Sequence, residues 1–155
     1  MLNNETCKLY LMEHTYEVDL NWVKDRAGIL SSPDINDEVT VVTPPQFPGG
    51  IPGHWSPEHL FTAAINSCLM TTFLSIAEKS RLDFSGFSSG AFGKLDNSGG
   101  QLLMTEVILK PVVVVNNDAD VEKAHRILRK SEEVCLISNS VRSKIIFEPE
   151  VRVKT

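Results

Sequence analysis

Ser56-Pro57-Glu58-His59-Leu60-Phe61-Thr62-Ala63-Ala64-Ile65-Asn66-Ser67-Cys68-Leu69-Met70-Thr71-Thr72-Phe73 is the stretch from which the fold is read. Ser56 suits an N-cap. Pro57 suits the first helical position, where a missing N–H does no harm, and Glu58 suits the positive end of the helix dipole. Together they predict a helix continuing over 59–79. Its apolar positions, Leu60, Phe61, Ala64, Ile65, Cys68, Leu69, Phe73, Ile76 and Ala77, occupy more than one face, the pattern of a helix covered on most sides. Such a helix is the central element around which the rest must pack.

On its N-terminal side, residues 15–22 alternate, with Tyr16, Val18, Leu20 and Trp22 set to face a core and Glu17, Asp19 and Asn21 to face water. A second strand over 7–12, joined through Glu13-His14, would make an opening hairpin, and a third strand is expected at 39–43. Residues 24–36 carry Gly28, Ser31, Ser32 and Pro33 and read as a connecting loop with Arg26 near its start. The segment 44–57 is too rich in proline and glycine for a helix or a central strand.

Beyond the helix, strands are expected at 84–95 and 102–115. Asn97-Ser98-Gly99-Gly100 supplies the hairpin turn between them, and a break or bulge is expected at Pro111. A second helix spans 118–134, with Val121, Ala124, Ile127 and Leu128 as its apolar stripe and Lys123, Arg126, Arg129 and Lys130 exposed. Cys135 follows directly. A short helix at 138–142 and a closing strand over 144–153, containing Pro149, complete the order. Strands, long helix, strands, helices and strand describe an α+β fold rather than an alternating one, and the length suits a single domain over 1–155.

Composition narrows the function classes. A net charge of −5, with no dense Lys/Arg cluster, argues against a nucleic-acid partner. No uninterrupted apolar run approaches ~18 residues, and Met-Leu-Asn-Asn-Glu-Thr-Cys at the start lacks the basic head of a secretory signal. The expectation is a cytoplasmic chain without a membrane partner. Three cysteines without regular spacing do not make a structural disulfide framework, and in a reducing compartment a disulfide is expected to be transient and catalytic.

Two readings of Cys68 stand at this point: a small apolar side chain filling core space, the ordinary role of a thiol on such a stripe, and a nucleophile. Cys135 sits at a helix junction, where N–H groups of a new helix near Ser138 would lower its thiol pKa; a half-buried structural thiol is the competing reading. Cys7, in a polar segment, reads as incidental. His54, His59 and Cys68 lack zinc-site spacing, so no metal is expected, and without a glycine-rich phosphate loop no bound nucleotide cofactor is expected either.

The run from Gly53-His54-Trp55-Ser56-Pro57-Glu58 through Cys68 to Phe73 resembles the signature helix of the OsmC/Ohr family of peroxide-stress proteins. Val134-Cys135-Leu136-Ile137-Ser138-Asn139-Ser140 is similar to that family's second cysteine motif. The resemblance implies an OsmC-like fold, with antiparallel sheets around a long buried helix in an intertwined homodimer. It also implies an oxidoreductase that reduces small organic hydroperoxides. Cys68 would be the thiolate that attacks the peroxide, leaving a sulfenic acid, and Cys135 would condense with it into a disulfide. An external dithiol of the lipoyl type, carried on a lipoylated protein, would restore both thiols.

By the same resemblance Glu58 takes the place of a glutamate that holds a thiolate-activating arginine, for which Arg26 is the candidate. Ten residues of helix separate Glu58 from Cys68, about 15 Å along the axis, so one arginine hardly reaches both within a chain. Two helices antiparallel across a twofold axis would bring Glu58 of one copy to Cys68 of the other. Phe47, Ile51 and Trp55 are candidates to wall the substrate site, with core packing as the competing reading. Leu136 departs from the family, which often has proline there. A different class of function on the same fold is a dimer that binds a small apolar ligand, or senses redox state, without turnover.

Overall fold

β1 (Asp19–Lys24), β2 (Ala27–Ser32) and β3 (Ile35–Val42) form an antiparallel sheet in chain order. They come from a computed structural model that describes residues 13–155; the strand expected at 7–12, and Cys7 with it, lie outside the described residues. The chain divides into two units at Ser56/Pro57, and this sheet belongs to the first.

Residues 24–36 are therefore not a loop. Lys24 pairs with Ala27 across the two-residue turn Asp25-Arg26, with Asp25 in the left-handed region at φ 46°, and β2 runs on to Ser32 before Pro33-Asp34 turns the chain into β3. Gly28 is a strand residue made necessary by close approach. A Cβ there would come within 3.0 Å of Leu20 Cδ1 and 3.1 Å of the Asn21 carbonyl oxygen on β1.

A second correction concerns Tyr16, Val18, Leu20 and Trp22, which are exposed rather than core-facing, Tyr16 at 87% and Trp22 at 76%. Alternation made one face of β1 apolar, and nothing within the described chain covers that face.

In the second unit, α1 (Pro57–Lys79) is the predicted helix. Its buried stripe is Ile65, Leu69, Phe73 and Ala77, one residue per turn on a single face. Ala64, Met70 and Leu74 are exposed, so within the chain α1 is covered along one stripe rather than on most sides. The helix ends through Ser80 and Arg81. Leu82 N–H donates to the Ala77 carbonyl at 2.9 Å, Arg81 N–H donates to that of Glu78 at 3.0 Å, and Arg81 takes φ 51°. That is a Schellman closure with arginine where glycine is usual.

β4 (Phe84–Ser98) and β5 (Gln101–Val115) form a long antiparallel hairpin. Its turn is Gly99-Gly100, with φ 61° and 85°, braced by the Gly100 N–H donating to Asn97 Oδ1 at 3.0 Å. β5 does not break at Pro111, which is fully buried opposite Ser89. The interruption falls on the neighbouring segment instead. β6 (Lys144–Phe147) and β7 (Glu150–Val153) both pair with β5, in parallel, and are separated at Glu148-Pro149, where β5 offers Pro111 without an N–H. The expected single closing strand is thus two, and the sheet is mixed.

α2 (Val121–Glu133), entered through a 3-10 turn at Asp118–Asp120, buries Ala124, Ile127, Leu128 and Ser131. The alternate residues Val107, Leu109, Val113 and Val115 of β5 meet the two helices in two clusters. One joins Phe73, Ala77, Leu82, Val113, Val115, Ala124, Ile127 and Leu128; the other joins Ile65, Leu69, Val107 and Leu109. Phe73 lies at the centre of the first, its ring 4.9 Å from that of Phe87 and 5.4 Å from that of Phe84. By length and composition α1 would suffice to cross a membrane, but here its apolar stripe packs into these clusters.

Candidate active site

The two clusters leave Cys68 on α1 half-buried, one helical turn before Thr72, with its sulfur 4.0 Å from Thr72 Oγ1. α2 delivers the second thiol. Just past its last turn, the Cys135 N–H donates to the Glu132 carbonyl at 3.2 Å, and the Cys135 carbonyl accepts the Asn139 N–H at 3.0 Å. Asn139 Nδ2 donates to the Glu133 carbonyl at 3.0 Å and Ser140 Oγ to that of Leu136 at 2.7 Å, so the chain from 133 to 140 is tied to itself. The short helix expected at 138–142 is a single 3-10 turn, Ser138–Ser140.

This tied turn presents its N–H groups to Cys68. The Ile137 N–H donates to Cys68 Sγ at 3.5 Å, and the Cys135 thiol acts on the same sulfur from the side of that turn. Burial by itself would raise the Cys68 thiol. The Ile137 N–H, the Cys135 thiol, the Thr72 hydroxyl and the Leu136 N–H together outweigh it and hold Cys68 below the usual thiol range. Cys135 is fully buried, and burial pushes its thiol up; Ser138 beside it opposes that push without overcoming it. The donors expected near Ser138 do pull the Cys135 thiol down, but burial outweighs them, and it is Cys68, facing the Ile137 N–H, whose thiol is lowered on balance. Both cysteines are free thiols.

Glu58, at the start of α1, is half-buried, and its Oε2 is buried without a hydrogen-bond partner. Thr62, one turn on, donates its hydroxyl to the Glu58 backbone carbonyl at 2.9 Å.

The other candidates belong to the first unit. Arg26 is exposed at the second position of the β1–β2 turn, and its carbonyl accepts the Thr43 N–H at 3.1 Å. Its side chain lies over Gly49 (φ 76°), where a Cβ would come 3.4 Å from Arg26 Cγ and Nε. The proline-rich loop that brings Gly49 there is held by the Ile51 N–H donating to the Thr43 carbonyl at 2.9 Å and the Val42 N–H to that of Trp55 at 2.8 Å. Gly50 passes so close to Pro44 that a Cβ would clash with its carbonyl. Phe47 and Ile51 are half-buried, and Trp55 is half exposed at 51%. Ile51 and His54, with Val23, Ile29 and Val42, line a cleft of about 420 Å³.

The structure thus brings Cys68 to Cys135 in one unit and Arg26 to the 44–55 loop in the other. Sequence reasoning missed the N–H groups of Leu136 and Ile137 as the donors to Cys68, because a backbone donor leaves no mark on residue type. Among the described residues no three of His, Cys, Asp and Glu gather as metal ligands.

The family model for OsmC-like proteins matches residues 49–150, a span that holds α1, both thiols and the turn between α2 and β6. The chain belongs to the OsmC-like protein family. It is 24% identical over 148 residues to the uncharacterised protein YmaD of Bacillus subtilis, covering 93% of this chain and 97% of that one. Among solved structures, an OsmC-like protein of unknown function from Vibrio cholerae superimposes with a TM-score of 0.80 at 25% identity, over 88% of this chain and 99% of the other. An organic hydroperoxide resistance protein OsmC from Legionella pneumophila shares the fold at a TM-score of 0.67 and 18% identity, over 90% and 99% of the two chains.

Proposed function

We propose that this protein reduces organic hydroperoxides to alcohols with Cys68 and Cys135. One observation carries the proposal: two free thiols act on each other in surroundings that drive their proton affinities apart, Cys68 down and Cys135 up, with the Ile137 N–H aimed at Cys68 Sγ. Two titratable groups separated in this way divide the roles of a redox pair between them. Cys68 is the thiolate and Cys135 holds its proton.

The Cys68 thiolate attacks the terminal oxygen of the hydroperoxide. The O–O bond breaks, the departing alkoxide takes a proton to become the alcohol, and Cys68 is left as a sulfenic acid. The Cys135 sulfur displaces hydroxide from that sulfenic acid, releasing water and closing a Cys68–Cys135 disulfide. An external dithiol of the lipoyl type exchanges with this disulfide, returns both thiols and leaves as its own disulfide. The Legionella relative is named an organic hydroperoxide resistance protein, which accords with this chemistry.

In this reading Arg26, steadied by Glu58, supplies the cation beside the thiolate, and Phe47, Ile51 and Trp55 favour apolar hydroperoxides over hydrogen peroxide. The working unit is a cytoplasmic homodimer. The apolar face of β1 and the exposed Ala64, Met70 and Leu74 of α1 support a second copy as their cover. Sedimentation at micromolar concentration returning an active monomer would remove the dimer.

The chemistry is tested by peroxide treatment of Cys68→Ser and Cys135→Ser proteins, with dimedone trapping and mass spectrometry. Sulfenic acid is expected at Cys68 when Cys135 is replaced, and none at Cys135 when Cys68 is replaced. Slow oxidation of either cysteine without preference would favour a binding protein that does not turn over.

A further inference from the structure

α2 runs back along α1. Near its start Lys123 Nζ donates to the Arg81 carbonyl, just past the end of α1, at 2.9 Å, and beyond its other end the Ile137 N–H reaches Cys68. Between these two points lies a groove of about 340 Å³, lined by Ile76 and Ser80 at the end of α1 and by Lys123, Arg126, Ile127 and Lys130 of α2. On α2 these residues, with the half-exposed Val134 after them, recur at the three- and four-residue spacing of one helix face, and that face ends at Cys135. Ile76 stands eight residues past Cys68, about 12 Å along the axis. The lining includes none of Ala64, Met70 and Leu74, the α1 residues given above to a second copy, and neither Arg26 nor Glu58.

Three cations and no carboxylate line this groove, in a chain whose net charge is −5. Lys123 is fixed by the Arg81 carbonyl, and Lys130 lies 3.3 Å from Glu133 in an exposed pair that costs little to open. Arg126 is exposed and, among the described residues, joins no ion pair. Ile76 and Ile127, packed into the core cluster, give the groove an apolar floor between the charges. Exposed cations around an apolar floor are the complement of an acidic protein surface. The position of the groove says what such a protein would bring, because its α2 face leads to the thiol pair. We infer that the groove docks an acidic protein that carries a dithiol and delivers it to the Cys68–Cys135 disulfide. The chemistry rests on the peroxidase reading: the partner's two thiols give two electrons and two protons to that disulfide and leave joined as a disulfide of their own. The docking rests on the charges. Arg126, Lys123 and Lys130 speed the encounter with an acidic partner and hold its thiols beside Cys68, which is half-buried where Cys135 is fully buried.

The test uses three synthetic dithiol peptides that share a Cys-x-x-Cys core and are flanked by glutamate, glutamine or lysine. The disulfide of the intact protein is formed with diamide rather than peroxide, so a failure of the peroxidase reading leaves the measurement standing. Rates of disulfide reduction are read by mass spectrometry, each divided by the same peptide's rate on hydroxyethyl disulfide to remove the effect of flanking charge on its own thiols. At low salt the glutamate peptide is expected to be at least about fivefold faster than the glutamine peptide and the lysine peptide slowest, with the differences shrinking as salt is raised. Arg126→Glu should abolish the advantage of the glutamate peptide and Arg126→Lys should keep most of it, whereas Lys94→Glu, the same charge change on the β4–β5 hairpin, should leave it in place. Equal rates for the three peptides, or an equal loss in Lys94→Glu, would overturn the inference. If diamide closes no disulfide between the two thiols, the pairing fails and the surface is judged by fluorescence anisotropy of labelled glutamate peptide on the reduced protein. Salt-sensitive binding lost in Arg126→Glu upholds it, and no binding overturns it.

Discussion

Replacing Cys135 by alanine removes the side-chain donor that reaches Cys68 Sγ and leaves the Ile137 N–H in place. Thiols are weak donors, but the acceptor here is charged, so the bond is worth about 1 kcal/mol to the thiolate. Its loss therefore raises the Cys68 pKa and moves the balance between thiolate and thiol toward the thiol by about fivefold, at 1.36 kcal/mol per tenfold. The assay is the pH dependence of iodoacetamide alkylation at Cys68, read by mass spectrometry on the Cys68 peptide so that other thiols do not contribute. The alkylation curve of Cys135→Ala should move to higher pH, while Cys135→Ser, which keeps a hydroxyl donor, should move less. A curve for Cys135→Ala that stays in place or moves to lower pH would refute the claim that the second thiol stabilises the first.

Three further outcomes follow from the packing and the charges. Phe73→Ala should lower stability by about 3–5 kcal/mol in urea unfolding, since the ring is fully buried between Phe84 and Phe87; a loss under about 1 kcal/mol would show the cluster is not the core. Arg81→Gly should raise stability by about 1 kcal/mol by relieving a left-handed backbone at the end of α1, and a lowered Tm would contradict the assigned helix closure. Because the folded-state pKa of Cys135 is raised, its contribution to stability is complete below the unfolded thiol pKa and is lost as pH rises through the folded value. Cys135→Ala should therefore flatten the alkaline fall in stability, and an unchanged alkaline limb would remove Cys135 as its source.

What the sequence made legible was local. The Ser56-Pro57-Glu58 start placed α1, and Asn97-Ser98-Gly99-Gly100 placed the β4–β5 turn, because caps and two-residue turns are set by neighbouring residues. β2 was hidden because Gly28 signals a loop by composition, whereas here it lets β1 approach closely. Pro111 was misjudged for a related reason: a missing N–H tells that a ladder is interrupted, not which of two strands gives way. Alternation at Tyr16, Val18, Leu20 and Trp22 identified an apolar face but carries no information about what covers it.

The candidate site divides along the same line. Cys68 and Cys135 were picked out by motif, yet their contact depends on α1 and α2 packing side by side, a long-range fact that no local pattern encodes. Which thiol is activated could not be read either. It turns on the direction of the Ile137 and Leu136 N–H groups, and these point at Cys68.

The central claim, that Cys68 and Cys135 act as one redox pair, is tested most directly by adding one equivalent of cumene hydroperoxide to the reduced protein and mapping its peptides without reduction. The account predicts one cumyl alcohol released and two thiols lost per chain, with the Cys68 and Cys135 peptides joined by a disulfide. Peroxide left unconsumed, or consumed with both thiols still free, would contradict it.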